Sequence, residues 1–413
     1  MMLHTPDLVL LALALSLVSG SSSAKPIVQI REPALVSIDF AVRLNLTLGD
    51  SKIADLDRAR AASKLAGIGN LVRRDGAISA TNTGVTYVAS IGVGEPATDY
   101  SLVVDTGSSN TWIGADKKYE PTNSSVNTGK NVSVSYGSGQ MEGVEYNDTV
   151  TISPDLVIKA QSIGVANYSV GFNGYDGILG LGPVATTANT VQNMSKVPTL
   201  MNNLYAQGKI SSEILAVSFA PTTTEPNGNG VLTFGGVDNS KCTGEITYAP
   251  ITKASPSSKF WGIDQSVTYG KAGKEILKSG SGIVDTGSTL VLLATEAFNV
   301  YTNTTGAKVD EGAGLLKIEN QDYERLESLY FKVGGTTFEL TKNAQTFPRA
   351  LNEFIGGEKN ATYLVVGDLG ISVGNGLDFI NGYAFLERFY SVYDTTNNRI
   401  GLATTKDTYS SAN

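Results

Sequence analysis

The chain has 413 residues, 41% apolar and only 17% charged, with 31 basic against 39 acidic side chains and a net charge of −8. That length fits two or three domains, and the acidic balance argues against a nucleic-acid partner, which would need a basic footprint. The one cysteine, Cys242, excludes an intrachain disulfide, and the one histidine, His4, sits at the extreme N-terminus, so a chain trimmed there has no imidazole for Ser-His-Asp, Cys-His or histidine-zinc chemistry.

The first predicted element is Leu8 to Val18, eleven apolar or small residues, too short to span a bilayer but suited to the apolar region of a signal peptide. Ser22-Ser23-Ala24 fits a cleavage site, so residues 1–24 are expected to be a secretory leader. The flank before it departs from the usual pattern, holding His4 and Asp7 and no Lys or Arg; a buried helix is the other reading.

Residues 25–75 differ in texture. Lys25 to Arg74 carries nine basic residues, among them Arg43, Arg60, Lys64 and Arg73. Ala54 to Leu71 is the most helix-prone stretch of the chain. It leads to a dibasic pair, Arg73-Arg74. Residues 1–75 hold 9 basic and 7 acidic side chains, which leaves 22 and 32, net −10, for the remainder. A basic piece ahead of an acidic body reads as a pro-segment held by charge attraction; a small N-terminal subdomain is the alternative.

From Gly76 onward, short Val, Ile, Thr, Tyr and Phe runs alternate with turn residues. Thr86 to Ile91, Val132 to Tyr136 and Ala216 to Phe219 are examples, and the pattern predicts an all-β architecture. Helical pieces are expected at Thr199–Gln207, Thr295–Tyr301 and Gln321–Leu329. Seven Asn-x-Ser/Thr sequons lie in this body, at Asn123, Asn131, Asn147, Asn167, Asn193, Asn303 and Asn360; an eighth is at Asn45. With the leader they fit a secreted glycoprotein. No second apolar span and no hydrophobic C-terminal tail follows, so no membrane partner is expected.

A repeat decides the reading. Leu102-Val103-Val104-Asp105-Thr106-Gly107-Ser108-Ser109 recurs 180 residues later as Gly282-Ile283-Val284-Asp285-Thr286-Gly287-Ser288-Thr289. Each copy is followed by a second apolar-Gly segment, Asp176 to Gly182 and Asp378 to Leu386. Two related lobes facing each other would bring Asp105 and Asp285 together. An Asp ending an apolar strand is costly to bury unless hydrogen-bonded. Gly107 and Gly287 allow close backbone approach. Their amides and the Ser108 and Ser288 hydroxyls can donate to the carboxylates, while Thr106 and Thr286 can cross-bond the two loops. Two carboxylates in contact share one proton and can activate a water for attack on a peptide carbonyl, with no metal and no cofactor. The pair titrates together, so neither Asp takes a separate role.

These segments, with Asp105 to Trp112, Tyr136-Gly137-Ser138-Gly139 and Phe385 to Asp394, resemble the pepsin-type aspartic endopeptidases, in particular their secreted fungal members, over about Thr86 to Thr405. The shared-proton dyad is a known property of that family. The resemblance implies a bilobal pepsin-like acid protease fold, two homologous β-barrel-like lobes (76–255 and 256–413) with the cleft between them. It implies a monomer that hydrolyses proteins and peptides at acid pH and is inhibited by its own pro-segment. It makes Tyr136 the flap residue, bonded through its hydroxyl to Trp112. Gly137 and Ser138 would offer backbone hydrogen bonds to substrate, opposite a wall of Gly107, Gly287, Ser288 and Thr289. Val103, Tyr175 and Ile178 would shape an apolar pocket, or simply pack in the core.

Departures carry information too. Relatives that accept Lys before the scissile bond have Asp where Ser138 stands, which predicts a preference for bulky apolar residues. Relatives usually carry a disulfide, which a single Cys242 cannot form. Asn381 replaces an aliphatic residue beside Gly382. In the family a basic pro-residue pairs with the catalytic carboxylates and lets go below roughly pH 4 to 5; Lys64, Arg43, Arg60 and Arg73 compete for that role. Maturation is expected near residue 75, by self-cleavage or by a dibasic-cutting protease. A catalytically inactive binding protein of the same fold and a two-carboxylate glycosidase are the other function classes. The location is extracellular or vacuolar.

Overall fold

Apolar-polar alternation and frequent turn residues build three sheets, of thirteen, seven and three strands, among the described residues. The computed structural model describes residues 35–44, 52–66, 85–221 and 229–412. The expected leader, the Asn45 sequon, Arg73-Arg74 and the maturation region near residue 75 lie outside these residues, as does the side chain of Arg43.

The helices are few and short. Leu200–Ala206 and Thr295–Thr305 lie at the expected places. The third expected helix is shorter than its pattern suggested. It covers only Asn320–Glu324, and Leu329 already belongs to the strand Leu329–Val333. There Leu329, Phe331 and Val333 alternate inward, and their burial outweighs the helical propensity before them.

The N-terminal segment is built into the fold by more than charge. Its first strand, β1 (Val36–Leu44), lies between Gly230–Phe234 and β2 (Val85–Val93), antiparallel to both. The alternation of Val36, Ile38 and Phe40 was the available signal for this strand. Phe40 is buried, its ring edge-on to Tyr87 at 5.3 Å and to Phe219 at 5.2 Å. Burying such a ring contributes roughly 1.5–3 kcal/mol. The helix α1 (Ile53–Ala66) follows.

The internal repeat is a repeat of topology. The strand β3 (Thr98–Asp105) runs parallel to Gly177–Gly180, which pairs antiparallel with Trp112–Ile113. In the second half Lys274–Val284 runs parallel to Phe379–Asn381, which pairs antiparallel with Val291–Leu293. Each Asp thus ends a strand flanked by a parallel neighbour, and the chain loops out and returns on that neighbour's far side. The Asp residues opening the downstream segments tighten both units. Asp176 accepts from the Ser101 amide at 2.8 Å and Asp378 from the Ser281 amide at 2.9 Å, each four residues before the repeated Asp.

Asn381 has a partner that its neighbours in sequence do not reveal. Its side-chain amide exchanges two hydrogen bonds with buried Gln265, at 2.9 and 3.3 Å, while its carbonyl accepts from the Asp285 amide at 3.1 Å. A reciprocal amide pair leaves little polar capacity unsatisfied, so the second unit tolerates Asn where an aliphatic residue is usual. Cys242 is half-buried, and burial pushes its thiol up.

Candidate active site

Asp105 and Asp285 meet where the two repeated units face each other, and each carboxylate is bonded within its own loop. Asp105 accepts from the Gly107 amide at 2.8 Å and the Ser108 hydroxyl at 2.5 Å. Asp285 accepts from the Gly287 amide at 3.0 Å and the Ser288 hydroxyl at 2.7 Å. Across the pair, a Cβ on Gly107 would stand 2.5 Å from Asp285 Oδ1, and one on Gly287 2.5 Å from Asp105 Oδ1. Only glycine permits that approach.

The loops are joined symmetrically beneath the carboxylates. The Thr106 amide donates to Thr286 Oγ1 and the Thr286 amide to Thr106 Oγ1, both at 3.0 Å, and the Thr286 hydroxyl donates to the Val104 carbonyl at 2.9 Å. All of these atoms are buried. Thr286→Val would strand an N–H and a carbonyl, at an expected cost of roughly 2–4 kcal/mol. A denaturant midpoint equal to that of the wild type would count against this cross-bond as a support.

The electrostatics split the pair. Burial and the neighbouring Asp285 charge raise the pKa of Asp105, against the pull of Lys64, Ser108 and the Gly107 amide. Burial also pushes Asp285 up, but the Lys64 ammonium, Ser288, the Gly287 amide and Arg60 outweigh it and hold Asp285 below the usual carboxylate value. One proton shared by the two groups, with the negative charge facing Lys64, fits both directions.

Tyr136 lies in the turn between the antiparallel strands Val126–Ser135 and Gln140–Ser153. Its hydroxyl accepts from the Trp112 indole N–H at 2.7 Å. Burial, and the charge of Asp105, push the phenol well above its ordinary value, so it stays protonated. The Ser138 amide is used within this turn, donating to the Tyr136 carbonyl at 2.7 Å. Val103, Tyr175 and Ile178 are buried with Trp112, Met141 and Phe172 in a separate apolar cluster under the hairpin, against which Tyr136 packs. Phe172, edge-on to both Trp112 and Tyr136, was not singled out by the sequence.

The helix α1 crosses this site. Lys64 Nζ lies 3.5 Å from Asp285 Oδ2, donates to the Gly107 carbonyl at 3.0 Å and stands 5.1 Å above the Phe260 ring. Arg60 donates to the Gly287 carbonyl and, at 3.1 Å, to the Ser138 hydroxyl. Asp57 accepts from the amides of Thr289 and Leu290 at 2.9 and 2.8 Å. A Cβ on Gly137 would collide with the Ala59 backbone. Of the two competing basic residues whose side chains are described, Lys64 is the one paired with a carboxylate of the two loops. Arg60 bridges hairpin and loop, and Arg73 lies outside the described residues.

Residues 86–405 match the family described as eukaryotic aspartyl protease. The chain belongs to that family. It is 56% identical to polyporopepsin from Irpex lacteus over 340 residues, covering 82% of this chain and 99% of that protein. It is 31% identical to vacuolar protease A from Aspergillus fumigatus, covering 78% of this chain and 79% of that one. Human gastricsin is 29% identical over 77% of this chain and 81% of its own. The crystal structure of an aspartic proteinase from Irpex lacteus superimposes with a TM-score of 0.80 at 50% identity, covering 92% of this chain and all of that one. The fold is therefore the bilobal pepsin-like one, and the protein is an aspartic-type endopeptidase acting on protein substrates. No helix among the described residues is long and apolar enough to cross a membrane. Of the seven sequons in the body of this protease, six have exposed asparagines and Asn147 is half-buried.

Proposed function

We propose that this aspartyl protease is made as an inactive secreted precursor and matures into an acid endopeptidase whose working group is the Asp105–Asp285 pair. The observation that carries the reading is Lys64 on Asp285, with α1 lying across the groups a bound peptide would have to reach. In the mature enzyme, residues 1–24 and 25–75 are gone, and the lobes 76–255 and 256–413 enclose the cleft.

A water between the two carboxyl groups gives a proton to the charged one and attacks the scissile carbonyl. The protonated partner donates to the carbonyl oxygen as the tetrahedral diol forms. The dyad's proton then passes to the nitrogen, the C–N bond breaks, and a diol hydroxyl gives its proton back to the dyad as the product carboxyl group forms, restoring the single-proton state. Tyr136, Gly137 and Ser138 close over the peptide, and Gly107, Gly287, Ser288 and Thr289 form the facing wall. Thr106, Thr286, Ser108 and Trp112 hold these groups in place.

Acid drives the release of α1. With Lys64 docked, Asp285 ionises below the ordinary 3.8. A lowered pKa contributes docking free energy that is present above the free value and is lost as pH falls through the docked one. The loss therefore begins near the ordinary carboxylate range and is complete only below the docked value, so full release by this pair lies at lower pH than for an unpaired carboxylate. One experiment tests the reading: N-terminal sequencing of acid-treated wild-type and Asp105→Asn precursors. The wild type should be cut near residue 75 and the variant left intact; normal maturation of the variant would exclude self-cleavage as the sole route. For specificity, a peptide library should show cleavage after bulky apolar residues, because Ser138 brings no charge to the hairpin. Efficient cleavage after Lys would refute that preference.

A further inference from the structure

Asp57 is a fully buried carboxyl on a segment that the proposed maturation discards, so the chemistry of the mature enzyme gives it no work. It stands seven residues before Lys64 and three before Arg60. Positions i, i+3 and i+7 share one helix face, so three charged side chains line up toward the cleft. At the dyad end is Lys64. In the middle Arg60 reaches both the hairpin and the Gly287 carbonyl, and lies 3.3 Å from Asp57 Oδ1. At the far end, Asp57 Oδ2 takes two consecutive backbone N–H groups, Thr289 and Leu290. Consecutive amides aimed at one acceptor need a partner once α1 leaves, and the carbonyl or carboxylate of a bound peptide offers the same oxygen.

We propose that Asp57 is an autoinhibitory anchor, holding α1 on the wall of the cleft by occupying the Thr289 and Leu290 amides independently of the contact between Lys64 and the dyad. This rests on the precursor reading above. Its response to pH differs from that of the Lys64 pair. The charged or titratable groups facing it are Arg60 on its own helix, Asp285 from the second loop and Tyr383 from the segment after Gly382. Burial pushes Asp57 up to about 6, with Arg60 and the two amides pulling it back and the Asp285 charge adding to the rise. Because the docked value exceeds the free value of 3.8, the docked form binds the proton more tightly, and acidification from about pH 6 to 4 tightens this contact. The anchor therefore resists release until the Lys64–Asp285 pair fails, which places activation at lower pH.

The test uses the full-length precursor, assayed on a short fluorogenic peptide near pH 5 before any chain is cut, as judged on a gel. Asp57→Ala should raise the activity of the intact precursor about tenfold or more, the loss expected for two hydrogen bonds to one carboxyl oxygen. Asp57→Asn keeps the shape and one acceptor oxygen, and should give an intermediate rise of roughly threefold. Asp55→Ala, at an exposed position on the same helix, should leave latency unchanged. The matured enzymes should share one kcat/KM, since residue 57 has been removed. Precursors of both Asp57 variants as latent as the wild type would overturn the proposal. A wild-type precursor already as active as the matured enzyme would instead overturn the precursor reading, and the anchor with it.

Discussion

Asp285→Asn should lower kcat on a protein substrate at acid pH by roughly 10³-fold, with KM and thermal stability little changed. The substitution preserves size. Its side chain can still accept from the Gly287 amide, and the Ser288 hydroxyl can rotate to accept from the new NH₂. What it cannot do is hold or pass a proton. The proposed mechanism moves a proton from water to one carboxyl while the partner donates another, so an amide at either position stops both halves of the exchange. The measurement needs protein freed of α1 without self-cleavage, for example by an added protease specific for the Arg73-Arg74 pair. Near-normal kcat in that protein would overturn the paired-carboxylate mechanism. A large loss of stability would mean that the charge of Asp285 holds the loops together, which the Thr106–Thr286 cross-bonds make unnecessary.

The second large effect concerns stability at neutral pH. Glu387 is buried beside Tyr87 and Tyr383, and burial pushes its pKa up to about 8, with Arg388 and Tyr87 opposing. A carboxyl with a raised folded-state pKa contributes fully below its unfolded value of 4.5, and that contribution drains away as pH rises toward 8. The gap between 4.5 and about 8 corresponds to roughly 5 kcal/mol once the loss is complete. Glu387→Gln cannot ionise and should be free of this loss. In an Asp285→Asn background, which prevents self-digestion, the wild-type Glu387 protein should lose several kcal/mol more between about pH 4.5 and 8 than the Gln variant. Calorimetry or urea unfolding at the two pH values measures the difference. Parallel slopes would show that Glu387 is ionised in the folded protein at neutral pH.

The contrast between these residues shows where the sequence was readable. The dyad was legible because it is written twice, and the bonds that hold each Asp reach only two and three residues along the chain. The hairpin tyrosine and its bond to Trp112 were legible through the family resemblance. The strand β1 could have been read from Val36, Ile38 and Phe40 but was obscured by the basic texture around it. In α1, propensity indicated a helix, while the side it buries mixes Ile53, Ala54, Leu56 and Ala61 with the carboxyl of Asp57, so hydrophobic periodicity gave only a weak sign of which side meets the protein.

The sequence by itself determined the fold class, the two carboxylates and the local loops that bond them. Those depend on contacts a few residues long, whose geometry the Asp-Thr-Gly-Ser order dictates. Only the tertiary structure decided that Lys64 rather than Arg60 meets Asp285, that Asp57 sits on the Thr289 and Leu290 amides, and that Gln265 completes Asn381. Those partners lie 116 to 233 residues apart, and nothing local selects one basic residue over its neighbours on the same helix. The choice is made when β1 and α1 settle against sheets formed by the rest of the chain, because burying a charge is tolerable only where a waiting partner offsets its desolvation.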